Sequence, residues 1–150
     1  MHSIIVTHPS MSFSSAHFVI SEGICESLHG HNYSVELRLQ GAIDELEMVL
    51  DFRKVKEEVS QICKSLDHKM LLPRNSSTIS VFEEDQKVTV NVDKKKYVFP
   101  AEDCIILPIK STTAELLAKY IHDQLEFKSR FRATVCVGES SGSVACYSDK

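Results

Sequence analysis

Between His29 and Leu39 the chain alternates without a break. His29, His31, Tyr33, Val35, Leu37 and Leu39 fall on one side, and Asn32, Ser34, Glu36 and Arg38 on the other. A period of two is that of a strand with one face on a core and one in water. Residues 4–6 and 12–20 also read as strand, interrupted near Pro9, with Phe13, Ser15, His17 and Val19 sharing a face. Residues 21–28 read as a loop turned at Gly23, residues 41–45 as a turn, and residues 47–50 as a short strand. The period then changes. Val55, Val59, Ile62 and Leu66 recur at helical spacing behind Asp51, a good N-cap. Residues 77–82 and 87–92 alternate around Glu83-Glu84-Asp85-Gln86 and predict a hairpin. Lys94-Lys95-Lys96 reads as a solvated turn, and residues 97–99 and 104–107 as further short strands. Thr112-Thr113-Ala114-Glu115 opens a second helix, with Leu117, Tyr120, Ile121 and Leu125 facing inward. Thr112 and Glu115 have the spacing of a capping box. Residues 132–137 and 143–147 are the last two strands, joined around Gly142. This order predicts one α+β domain over residues 1–150, an antiparallel sheet with two helices on one face.

Composition narrows the function classes. The chain has 150 residues, 43% hydrophobic and 25% charged, ordinary values for a globular domain. A net charge of −4 and the absence of a basic run argue against a nucleic-acid partner. No apolar stretch approaches the roughly 18 residues of a membrane helix, and the first residues lack a charged, then apolar, leader pattern. No membrane partner is expected. The five cysteines are odd in number and contain no C-x-x-C pair. The expectation is a reduced, cytoplasmic protein with free thiols, in which Cys63, Cys104, Cys136 and Cys146 are small buried hydrophobes.

The chemistry concentrates in Cys25-Glu26-Ser27-Leu28-His29-Gly30-His31-Asn32. On a strand His29 and His31 point to the same face, about 6–7 Å apart along it. Gly30 puts no side chain between them. His17 is the candidate third ligand. Three imidazoles with a fourth position open is the pattern of a catalytic zinc, whereas structural zinc sites are closed by four protein ligands. On spacing alone these are also ordinary polar residues of a half-buried strand.

Six segments occur in order: Phe13-Ser14-Ser15-Ala16-His17, Cys25-x-x-x-His29-Gly30-His31-Asn32, Leu50-Asp51-Phe52, Leu66-Asp67-His68-Lys69, Ser111-Thr112-Thr113-Ala114-Glu115 and Val137-Gly138-Glu139-Ser140. Together they resemble the 6-pyruvoyl-tetrahydropterin synthase / 6-carboxy-tetrahydropterin synthase (QueD) family, over nearly the whole chain.

The resemblance implies the tunnelling fold (T-fold), whose subunits pair their sheets edge to edge into a β-barrel. Trimers commonly stack into homohexamers with interfacial active sites, an arrangement that covers the edges of a small open sheet. It implies Zn²⁺ on His17, His29 and His31, and 7,8-dihydroneopterin triphosphate as substrate. Cys25 would be the thiolate that removes a proton from the substrate side chain, and Asp67 and His68 its acid/base partners. Glu139 would accept two hydrogen bonds from the pterin 2-amino group and the adjacent ring N–H. Thr112, Thr113 and Glu115 would line the pterin pocket; for Glu115, capping and ligand binding stand as equals. Lys69, Arg74 and Lys110 are candidates for the triphosphate, unranked.

Two departures stand out. The polar residue often found after the D-H-x-x-L block is missing from His68-Lys69-Met70-Leu71-Leu72. Glu26 directly follows Cys25, as in members that cleave dihydroneopterin to 6-hydroxymethyl-dihydropterin; an exposed loop carboxylate would look the same. The activity implied first is a zinc-dependent lyase, 6-carboxy-5,6,7,8-tetrahydropterin synthase, releasing acetaldehyde and triphosphate for queuosine or archaeosine biosynthesis. The alternatives are 6-pyruvoyl-tetrahydropterin synthase, a dual-activity member, and a non-catalytic pterin- or metal-binding protein.

Overall fold

The computed structural model describes residues 1–149. Five strands come first: β1 (His2–Val6), β2 (Ser12–His17), β3 (Ile20–Ser21), β4 (Ile24–Cys25) and β5 (His29–Gly41). Helix α1 (Phe52–Leu66) leads to β6 (Lys69–Pro73), β7 (Ile79–Glu84), β8 (Lys87–Val92), β9 (Lys95–Pro100) and β10 (Cys104–Leu107). Helix α2 (Ala114–Gln124), β11 (Arg132–Ser140) and β12 (Ser143–Ser148) complete the fold.

The long strand β5 is the axis. Its first half pairs with β2, its second half with β1, and its other edge with β11. The main sheet runs β10-β6-β2-β5-β11-β12, with β1 beside β5. The alternation in β5 is obeyed: Tyr33, Val35, Leu37 and Leu39 are at most 3% exposed. They meet Val55, Val59, Cys63 and Leu66 of α1, and Leu117, Ala118 and Ile121 of α2, in one core. The Asp51 carboxylate caps α1 by accepting from the Arg53 N–H at 2.8 Å.

Several expectations are corrected. Strand β6 reads as nothing in the sequence, and it runs parallel to both of its neighbours, β2 and β10, in an otherwise antiparallel sheet. Leu71 enters the main core, while Met70 and Leu72 enter a second one on the opposite face. A strand buried on both faces has no polar side, so no alternation marks it. The second core is roofed by the three-stranded sheet β7-β8-β9, which gives the long segment between residues 73 and 107 its role. Residues 47–50 form no strand; the Asp44 carboxylate accepts from the Leu46 and Met48 N–H groups and holds a turn there. Residues 21–28 are not only loop: β3 and β4 form a small hairpin around Glu22 and Gly23, both at positive φ. Lys95 and Lys96 lie in β9 rather than in the turn. Cys136 and Cys146, expected as free thiols, form a disulfide. They sit directly opposite each other across β11 and β12, so their side chains leave the sheet on one face. Cys25, Cys63 and Cys104 are free; burial pushes the Cys63 thiol up to about 12.

Leu66 is fully buried where α1 ends, just before Asp67. Leu66→Ala should cost about 2–5 kcal/mol, read as a lower urea midpoint at unchanged slope. A midpoint equal to that of the wild type would contradict the packing described.

Candidate metal centre and active site

His17 and His29 face each other across the β2–β5 ladder, and His31 lies two residues along on the same face. One ring nitrogen from each comes within 4.8 Å of the other two. The tautomers of two rings follow from their partners. His17 Nδ1–H donates to the Thr112 carbonyl at 2.9 Å, and His29 Nδ1–H donates to the Ser27 carbonyl at 2.7 Å. Each Nε2 is therefore a bare acceptor, and the two stand 3.2 Å apart. Two lone pairs at that distance repel unless a cation lies between them. Burial holds the His17 imidazole below the ordinary histidine range, overcoming the Thr112 hydrogen bond, which acts the other way. A neutral ring is the form that binds a metal. The donor set is thus three imidazoles, each with a ring nitrogen close to the other two, which fits Zn²⁺. Tyr33 packs edge-on beneath His17 and His31, its hydroxyl buried.

The histidines open into a cavity of about 370 Å³, whose wall includes Glu26, Thr113, Glu115, Glu139 and Val144. Glu139 lies 3.7 Å from His31 Nε2 and 4.0 Å from His17 Nε2. It sits at the irregular register between Gly138 and Ser140, where β11 departs from β12.

The other nominated residues separate. Cys25 pairs with Ile20 and is 8% exposed; its side chain packs with Phe18, Met70 and Leu72 in the second core and is not in the cavity wall. Successive residues of an extended chain point to opposite sides. Glu26, one along, therefore faces the cavity, and its N–H donates to the Val19 carbonyl. Thr112 is buried behind His17 and positions it. Thr113, not Thr112, caps α2, its hydroxyl accepting from the Leu116 N–H. The capping frame moves by one residue, and Glu115 turns to the cavity wall. Asp67 and His68 follow α1 and pair at 2.9 Å, outside this cavity. The Ser14 N–H, then His68, hold the Asp67 carboxyl below the usual carboxylate range. Sequence reading missed the Ser27 and Thr112 carbonyls and the β12 contribution to the wall, because backbone groups and cross-strand neighbours leave no residue-type signal.

The family model for 6-pyruvoyl tetrahydropterin synthase matches residues 7–150. The chain belongs to this family. It is 38% identical over 148 residues to a putative 6-carboxy-5,6,7,8-tetrahydropterin synthase of Methanocaldococcus jannaschii, covering 93% of this chain and 91% of the relative. A dihydroneopterin monophosphate aldolase of Pyrococcus furiosus is 43% identical over 60 residues, 40% of this chain and 51% of the relative. Plasmodium vivax 6-pyruvoyltetrahydropterin synthase has been solved with a catalytic glutamate replaced by Ala or Cys. Its fold superposes with a TM-score of 0.93 at 34% identity, over 99% of this chain and 98% of that one. The chain has the T-fold of these neighbours. No helix among the described residues is long and apolar enough to cross a membrane.

Within the chain, Gly30 sits between two of the histidines, and a Cβ there would come 3.0 Å from the Ser15 carbonyl oxygen of β2. That is a backbone atom and cannot swing away. Gly30→Ala should push β2 from β5 where His17 meets His29, lowering metal affinity about 10–100-fold, as losses of supporting contacts do. Competition with a chromophoric chelator measures this; unchanged affinity would show that the ladder spacing does not set the site.

Proposed function

We propose that this chain is a zinc-dependent lyase acting on 7,8-dihydroneopterin triphosphate, a 6-carboxy-5,6,7,8-tetrahydropterin synthase with Glu26 as its base. The observation that carries this reading is the placing of Glu26 in the wall of the histidine cavity while Cys25 is turned into the second core. The catalytic glutamate of the Plasmodium vivax relative supports the same choice. Zinc on His17, His29 and His31 would supply Lewis acidity for the hydroxyl oxygens of the substrate side chain. Glu139 accepts from the pterin 2-amino group and ring N–H and sets the ring in place. Glu26 then takes a proton from the side chain, and Thr113 and Glu115 close the pocket around the ring. With one water consumed to supply the second carboxylate oxygen, loss of acetaldehyde and triphosphate gives the 6-carboxy product, suited to queuosine or archaeosine biosynthesis. The homohexamer belongs to the proposal as well. In it the exposed Asp67–His68 pair of a neighbouring copy reaches the site as acid/base partner.

Glu26 also favours a second reading. A carboxylate at a side-chain hydroxyl suits retro-aldol cleavage: the O–H proton goes to Glu26, the adjacent C–C bond breaks into the dihydropterin ring, and an aldehyde leaves. From dihydroneopterin this gives glycolaldehyde and 6-hydroxymethyl-dihydropterin.

Product analysis with dihydroneopterin triphosphate separates these outcomes. Acetaldehyde with the 6-carboxy product is expected; a glycolaldehyde fragment would favour the second reading, and triphosphate release alone would make the enzyme a 6-pyruvoyl-tetrahydropterin synthase. Glu26→Gln should lower turnover about 10²–10⁴-fold, the usual worth of an acid–base group, with zinc content unchanged. Cys25→Ala should retain most turnover. The opposite pattern would return the base to Cys25.

A further inference from the structure

The structure ranks the cations that the sequence left equal. Lys69 donates to the Glu102 carbonyl, and Arg74 pairs with Glu83 at 2.8 Å. The Lys and Arg ion pairs among the described residues engage Arg38, Arg53, Arg74 and Lys119. Lys110 is in none of them. It stands in the wall of a separate cavity of about 310 Å³ with Asn75, Ser77, Thr78 and Ser111. The wall holds no carboxylate. One ammonium among hydroxyls and a side-chain amide is a donor set for phosphate oxygens.

Its position matters more than its composition. The Arg74 and Asn75 N–H groups donate to the Leu107 and Ile109 carbonyls, so the two sides of the cavity are tied together. Ile20 borders this cavity, and Val19 borders the histidine cavity. Ser111 borders this one, and Thr113 the other. Between them lies Thr112, whose carbonyl accepts from His17. Two residues span at most about 7 Å, so the Lys110 backbone is that close to the residue that positions a metal ligand. The cavity lined by Arg38 and Arg132 also carries cations, but Arg38 projects from the face of β5 opposite to the histidines and is held by Glu36 at 2.6 Å.

We infer that the Lys110 cavity seats the terminal phosphates of a substrate whose reacting side chain lies at His17, His29 and His31. This rests on the reading of the substrate as dihydroneopterin triphosphate. Lys110 is then a specificity residue: it separates the triphosphate from the unphosphorylated pterin without touching the reacting atoms. Ser77, Thr78 and Ser111 supply neutral donors around it, and Arg74, occupied by Glu83, does not take part.

The test is calorimetric titration of the zinc-loaded protein with inorganic triphosphate, for wild type, Lys110→Ala and Arg132→Ala. Lys110 is exposed, so its truncation leaves the core untouched. Wild type should bind. Lys110→Ala should bind about tenfold more weakly, the loss of one charge-assisted contact, and Arg132→Ala should bind like wild type. In turnover, Lys110→Ala should raise KM for dihydroneopterin triphosphate by a similar factor at little-changed kcat, and leave the affinity for dihydroneopterin as it was. Equal triphosphate binding by wild type and Lys110→Ala overturns the inference, as does no binding by wild type. An equal loss in Arg132→Ala, or a parallel loss for dihydroneopterin, overturns it too. Lys110-dependent triphosphate binding without turnover of dihydroneopterin triphosphate would instead remove the proposed reaction and leave the anion site standing.

Discussion

The hydrogen bond from the buried His17 ring to the Thr112 carbonyl is the contact on which the site depends. It joins β2 to the chain entering α2, two parts of the protein 95 residues apart. It spends Nδ1 on a carbonyl and leaves Nε2 bare toward His29. The Ser27 carbonyl does the same for His29 from the other side. The result is a pair of opposed lone pairs in a partly buried place, an arrangement that a metal ion relieves. The rest of the fold keeps these partners in register: α1 and α2 cover the apolar half of β5, and the ladder between β2 and β5 sets His17 opposite His29.

A second constraint is the alternation of an extended chain. Only one of Cys25 and Glu26 can face the cavity. The sequence shows both as chemistry and does not show which one turns inward, because the two-residue strand β4 is too short to display its phase. The second core decides it by taking Cys25 among Phe18, Met70 and Leu72. That core exists because the β7-β8-β9 sheet roofs the far face of β6. A segment without metal ligands thus selects which residue meets the cavity.

Much of the fold was legible where one face is wet. The β5 alternation, the α1 stripe with its Asp51 cap and the hairpin of β7 and β8 all carry a polar side that marks their period. Strand β6, apolar on both faces, carried no such mark. Asp44 took residues 44–48 into a turn through side-chain bonds to the backbone, overriding the strand-like run that follows. The Cys136–Cys146 disulfide depends on cross-strand register, which is set only once β11 and β12 have paired. In the site, spacing put His29 and His31 on one face and made His17 a candidate, and the family resemblance rather than spacing alone singled out the three. The capping frame at Thr113, the backbone partners of the rings and the cavity around Lys110 needed the structure, since each depends on which residues meet across elements.

The His17, His29 and His31 cluster is proposed to hold zinc with an open position facing the Glu26 carboxylate. Zinc-edge X-ray absorption on the metal-loaded protein tests it most directly. Three imidazole nitrogens are expected at about 2.0–2.1 Å, with the remaining coordination from light atoms exchangeable with added ligand. A sulfur shell near 2.3 Å would make Cys25 a ligand rather than a core residue and would rule out the three-histidine centre.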